Sequence, residues 1–234
     1  MKKVIVLVLI AGLIFWWFKD PSVSVDSNDI SFDYIIKYSG GSSRGDLLPM
    51  LISLHGNGDK AKNFYQTALN QFKVPVRIVL IKGPLSYGMG KAWPWNPDDF
   101  SLYGKAFSEA ATKLALKYPT NGKPVLMGFS GGGVMAYYQA LKFGDNYSKI
   151  FPISGRLSLD SLGNDQFRIG ADVTAFHGNK DSVIPISGGK HAADLLEENG
   201  VVVDFIEFDG GHLGIFTNMK RDITRAIEET LEML

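Results

Sequence analysis

Cysteine is absent from the 234 residues. That excludes disulfides, Cys-ligated zinc, a thiol nucleophile and a lipid anchor on an acylated Cys. Net charge is absent as well, since 24 Lys and Arg offset 24 Asp and Glu. No basic field is available to neutralise phosphates, so nucleic acid is not an expected partner. No internal repeat or low-complexity tract is visible. The composition, 45% apolar and 21% charged, is that of an ordinary folded domain large enough to bury a full core.

One long apolar run is present, Val4 to Phe18, preceded by Lys2 and Lys3 and followed by Lys19, Asp20 and Pro21. As a helix it spans roughly 22 Å, short of the bilayer's hydrocarbon core, about 30 Å thick. It reads as a signal-peptide core or a short signal anchor. Trp16 and Trp17 at its end suit a membrane interface and favour the anchor. Ser22-Val23-Ser24 offers the cleavage alternative. In either case the positive pair stays inside, and the following domain faces the periplasm or exterior, membrane-anchored or secreted. The expected organisation is a leader over 1–24 and one domain over 25–234.

From about residue 30 apolar strands alternate with helical patterns. Phe32–Tyr38 and Leu47–Leu54 read as strands joined through the polar turn Gly40–Gly45, which predicts a hairpin. Asn63–Phe72 reads as a helix, Val76–Ile81 as a strand buried on both faces, and Gly83–Pro97 as a loop. Asp98 or Asp99 is placed to cap a long helix with apolar residues at helical spacing from Phe100 to Tyr118. Strands at Val125–Phe129, Ile150–Ile153, Val173–Phe176 and Val201–Phe208 then alternate with helices at Val134–Phe143, Gly188–Asn199 and Phe216–Leu234. This order predicts an α/β fold: a mostly parallel sheet, helices on both faces, and an antiparallel edge. In such sheets sites form at the carboxyl ends of strands, here after Leu54, Ile81, Phe129, Phe176 and Phe208.

Gly-x-Ser-x-Gly occurs twice, at Gly41–Gly45 and at Gly128–Gly132. The nucleophile chemistry needs a strand entering the motif and a helix leaving it. Only Ser130 has both; Ser43 lies in the expected turn. Gly128 and Gly132 relieve crowding at the strained turn. Gly131 offers an unpaired N–H at a helix N-terminus, where a developing anion is favoured. A serine nucleophile needs a base, and His212, in the loop after Val201–Phe208, is placed to supply it. His191 lies on a polar helix. His55 and His177 each end a strand and are expected to fix loops. Asp181, after the Val173–Phe176 strand, is the expected acid, with Asp209 in reserve; Asp172 precedes its strand, at the wrong end. The Asn57 N–H in Gly56-Asn57-Gly58 is the second expected oxyanion donor. Tyr87, Met89, Trp93 and Trp95 are candidates to line a substrate pocket, with packing alone an equal reading for both Trp residues.

Five segments together resemble the phospholipase/carboxylesterase branch of the α/β-hydrolases, which includes acyl-protein thioesterases. They are Leu54–Asp59, Ala92–Trp95, Gly128–Gly132, His177–Pro185 and Gly211-His212. The resemblance implies an α/β-hydrolase fold and hydrolysis of carboxylic esters, short acyl esters or else lysophospholipid or thioester. The triad would be Ser130, Asp181 and His212, the oxyanion donors Asn57 and Gly131, and no metal or organic cofactor would be needed. The partner is then a small-molecule ester, besides a membrane held through an uncleaved leader. Acyltransferase or peptidase chemistry, or a silent binding protein on the same fold, are the alternatives. This chain departs from the branch in having Gly131 where Gln is usual after the nucleophile, and in its membrane-directed leader. No insertion long enough for a large lid is present, so an open site is expected.

Overall fold

The computed structural model describes residues 20–25, 29–157, 160, 162 and 166–234. Residues 1–19, with the apolar run, lie outside the described residues. Among the described residues no helix is long and apolar enough to cross a membrane.

The chain builds an eight-stranded sheet in the order β1-β2-β4-β3-β7-β8-β9-β10. The strands are β1 (Ser22–Ser24), β2 (Ser31–Ser39), β3 (Met50–Leu54), β4 (Val76–Ile81), β7 (Val125–Phe129), β8 (Lys149–Ile153), β9 (Asp172–Gly178) and β10 (Val203–Phe208). A two-stranded hairpin, β5 (Leu85–Tyr87) with β6 (Gly90–Ala92), stands apart. From β4 to β10 every neighbour is parallel, while β1–β2 and β2–β4 are antiparallel. The mostly parallel α/β sheet with an antiparallel edge is thus the one expected.

Side-chain alternation along the strands splits the core into two layers. Met50, Ile52, Leu54, Val79, Ile81, Leu126 and Ile150 face one side. There they meet α2 (Pro97–Lys117), α3 (Gly131–Phe143) and α4 (Ile186–Glu198). Leu51, Ile78, Leu80, Val125, Met127 and Phe151 face the other side, under α1 (Ala61–Phe64, continued by a π-helical turn over Tyr65–Leu69) and α5 (Lys220–Glu232). Period-2 alternation in strands covered on both faces yields continuous apolar runs, as the sequence shows.

The expected hairpin between the first two strands does not form. β2 pairs antiparallel with β4, and β3 inserts on the far side of β4, parallel to it. The connection 40–49 is long enough to step past one strand spacing of about 4.8 Å. Both β3 and β4 are buried throughout, whereas β2 has only its first alternate residues buried. The fully apolar strands therefore take the centre and the half-polar one goes to the edge. Residues 22–24, set aside with the leader, form strand β1 on β2, with Val23 and Val25 in the core.

The segment 83–97, expected as a loop, contains the β5–β6 hairpin. Asn96, not Asp98 or Asp99, caps α2; its side-chain oxygen accepts the Asp99 N–H at 2.9 Å, with Pro97 at the first helical position. The final helix begins at Lys220, because a 3₁₀ turn over His212–Phe216 precedes it.

Candidate active site

Ser130 joins β7 to α3 with φ 55° and ψ −116°, a strained conformation for a residue with a Cβ. The turn closes so tightly that a Cβ on Gly128 would lie 2.0 Å from the Gly132 carbonyl oxygen. One on Gly132 would lie 2.5 Å from the Leu54 oxygen and 2.8 Å from that of His55. Backbone rather than flexible side chain opposes it. Gly132→Ala should therefore destabilise the fold by roughly 1–3 kcal/mol, read as a fall in Tm of about 2–4 °C per kcal/mol. A wild-type Tm would contradict the close approach of α3 to β3.

The loops after β9 and β10 are stitched together. The Asn179 N–H donates to the Phe208 carbonyl at 2.9 Å, and the Lys180 N–H to that of Gly210 at 2.9 Å. This brings Asp181 and His212 into contact, 31 residues apart in the chain. Asp181 is buried. Its Oδ1 accepts the Val183 and Ile184 N–H groups, each at 2.9 Å, and its Oδ2 lies 2.7 Å from His212 Nδ1. A carboxylate only accepts, so Nδ1 carries the proton. His212 Nε2 is then a free acceptor, and the Ser130 hydroxyl donates to it at 2.9 Å. The imidazole packs on the Phe129 ring, centroids 5.0 Å apart.

Asp209 takes no part; its carboxylate pairs with Lys180 at 2.6 Å on the surface. Asp172 starts β9, at the opposite end of the sheet from the site. Ser43 sits in a surface turn where its N–H donates to Asp46 at 2.7 Å.

The other two strand-end histidines fix loops, as expected. Gly83 N–H donates to His55 Nε2 at 3.0 Å, so His55 carries its proton on Nδ1, which donates to the Gly56 carbonyl at 2.7 Å. His177 Nε2 donates to the Ile184 carbonyl at 2.9 Å and lies 3.5 Å from Asp181 Oδ2, while its buried Nδ1 has no partner among the described residues. Burial holds both imidazoles below their ordinary pKa of 6.5. An unfolded chain binds protons at both sites once pH drops below about 6.5, and the folded chain resists. The stability these sites contribute is thus complete above pH 6.5 and is lost as pH falls from there. Thermal melts should show Tm falling between pH 7 and 5, and a smaller fall in His177→Asn. A Tm flat over that range would refute the neutral assignment.

Asn57 and Gly131 meet on the other side of Ser130. Among the described residues the Asn57 N–H has no acceptor. Gly131 opens α3, where an N–H lacks an intrahelical partner. The Asn57 side chain fills the space next to Gly131: a Cβ there would lie 2.3 Å from Asn57 Oδ1. A longer residue after the nucleophile would displace it, which explains the glycine. Asn57 Oδ1 in turn accepts the Trp93 N–H at 2.8 Å, and the Trp93 indole N–H donates to the His55 carbonyl at 2.8 Å.

Ser130, His212, Asn57 and Gly131 open onto one cleft of about 940 Å³. Tyr87 and Trp95 line it, and stand edge to face with centroids 5.9 Å apart. Trp93 does not line it; the ring is fully buried and works as a brace behind the Asn57 loop. Met89, 92% exposed at the tip of the β5–β6 hairpin, is also outside the cleft lining. Side chains not singled out from the sequence also line it, among them Phe129, Val134, Arg156, Ile184, Leu213 and Phe216. Arg156 was legible, since it follows the carboxyl end of β8, the one central strand end passed over.

The phospholipase/carboxylesterase family model matches residues 42–231. No curated protein matches the sequence. Among solved structures, esterase PE8 is 20% identical, covers 86% of this chain and 99% of its own, and superposes with a TM-score of 0.71. A carboxylesterase from Mesorhizobium loti is 17% identical over 88% of this chain and 98% of its own, TM-score 0.71. Zea mays acyl-protein thioesterase 2 is 19% identical over 85% and 98%, TM-score 0.63. At such identities the likeness is one of fold, and that fold is the α/β-hydrolase fold.

Proposed function

Since the chain belongs to the phospholipase/carboxylesterase family of α/β-hydrolases, we propose that it is a serine esterase acting through Ser130, His212 and Asp181. The observation that carries this reading is the continuous relay of 2.7 Å from Asp181 to His212 and 2.9 Å from His212 to Ser130. It already has the tautomer that catalysis requires.

In the first step the Ser130 oxygen forms a bond to the ester carbonyl carbon while its proton passes to His212 Nε2. The carbonyl electrons move onto oxygen, and the Asn57 and Gly131 N–H groups stabilise that oxyanion. Removing such a donor in comparable sites costs about 3–4 kcal/mol. The imidazolium, balanced by Asp181, then gives its proton to the departing alcohol oxygen as the carbon–oxygen bond breaks. Water attacks the acyl-enzyme, its proton going to His212 and then to Ser130 Oγ as the acid leaves. The residues perform each proton transfer themselves, so the mechanism calls for no metal or organic cofactor.

The open cleft favours short or solvent-presented acyl groups, lysophospholipid and thioester included, over deeply buried chains. The leader is read as directing this domain across a membrane and, if uncleaved, holding it there. Acyltransferase activity on the same triad is the second reading, and Tyr87 and Trp95 give an alcohol acceptor an aromatic wall to displace water. The test is labelling by a fluorophosphonate, with an ester panel run with and without alcohol acceptors. Label on Ser130 and release of free acid are expected; an unlabelled protein inert to every ester would end the proposal.

A further inference from the structure

Arg156 is the only Lys or Arg among the described residues that line the cleft. Its side chain is exposed, and among the described residues it has no hydrogen-bond or ion-pair partner. Two other cations at the same end of the sheet are paired: Lys180 with Asp209 at 2.6 Å and Lys190 with Glu207 at 2.8 Å.

The backbone holding Arg156 is tied down on both sides. Ile153, the end of β8, accepts the Ser130 N–H at 2.9 Å. Ser154, at φ 48°, donates its N–H to the Phe176 carbonyl at 2.8 Å. The Arg156 stem then lies over the first turn of α4. A Cβ on Gly188 would stand 3.3 Å from Arg156 Cβ and 3.9 Å from its Cδ, beside Ile184 Cγ2 at 4.0 Å. A long cationic side chain whose stem packs on apolar surface presents its head to solvent, here the water of the cleft.

We infer that Arg156 forms an anion subsite in this cleft, selecting esters that carry a second, free carboxylate away from the scissile carbonyl. The inference rests on the esterase reading for the identity of the ligand. A guanidinium offers two parallel N–H groups that match a carboxylate, and it is weakly hydrated, so the pair forms at small desolvation cost. Asp59 and Asp160 also line the cleft. The Asp59 carboxylate accepts the Lys60 N–H at 2.7 Å, and Asp160 is exposed. Both repel an anion, and Arg156 is the one lining Lys or Arg among the described residues that attracts it.

The experiment measures Kd by calorimetry for full-length Ser130→Ala, which binds without turning over. The ligands are the 4-nitrophenyl monoester of glutaric acid, with its free carboxylate, and the same molecule capped as its methyl ester. The anionic ester should bind about two- to fivefold tighter than the capped one, in the range of an exposed ion pair. Adding Arg156→Ala should bring the ratio to about one. Arg156→Lys should restore part of it, and high salt should shrink it. A ratio near one in Ser130→Ala, or one that survives Arg156→Ala, overturns the subsite. Wild-type hydrolysis of the two esters is scored separately. A selective protein that hydrolyses neither would keep the subsite and sink the esterase reading; a non-selective one that hydrolyses both would do the reverse.

Discussion

Replacing Ser130 by Ala should lower ester turnover by roughly 10⁴–10⁶-fold, the scale of losing a triad nucleophile. The backbone strain at φ 55° is the same for both residues, since each has a Cβ, so the fold should survive. Only the hydroxyl and its 2.9 Å bond to His212 are lost. Ser43→Ala is the matched control: the second Gly-x-Ser-x-Gly serine lies in a surface turn, and its loss should leave turnover at the wild-type level. Comparable activity in Ser130→Ala and wild type would remove the mechanism.

The second large effect is at Asp181. Asp181→Asn keeps an oxygen to accept the Val183 and Ile184 N–H groups, now 2.9 Å away, so the loop should hold its shape. The other end of the side chain becomes an NH₂ facing His212 Nδ1. Two donors cannot share that 2.7 Å contact. The imidazole must shift its proton to Nε2, and Nε2 then has no lone pair for the Ser130 proton. A loss of about 10⁴ in kcat is expected, as when a triad acid becomes its amide, with Tm little changed. Asp209→Asn should cost almost nothing, because Asp209 is tied to Lys180. A loss below tenfold in Asp181→Asn, or a large one in Asp209→Asn, would move the acid elsewhere.

The Asp181–His212–Ser130 contact could be read in sequence because each member follows a strand, and strand ends on one edge of a parallel sheet converge. The motif around Ser130 was ambiguous only until its flanks were read: apolar β7 before, helix α3 after. The same rule separated Asp181 from Asp172; Asp209, close to His212 in sequence, stayed in reserve, because no pattern announces its pairing with Lys180. Trp93 and Trp95 looked equivalent two residues apart. Burial decided between them: Trp93 turned inward to brace His55 and Asn57, and Trp95 outward to the cleft. The β2–β3 hairpin failed for a related reason. Local turn chemistry favours neighbours in sequence, but the strand apolar on both faces gains more by taking the centre.

By itself, then, the amino-acid order determined an α/β alternation, the edge on which loops gather, and three residue types suited to nucleophile, base and acid. These depend on periodicity and on short-range backbone geometry, which neighbouring residues carry. Tertiary structure alone decided which strands pair, which histidine nitrogen holds the proton, that the Asn57 side chain fills the space next to Gly131, and that Arg156 lines the cleft with no partner among the described residues. Those are outcomes of desolvation and of hydrogen-bond partners supplied from far along the chain, and no local pattern encodes them.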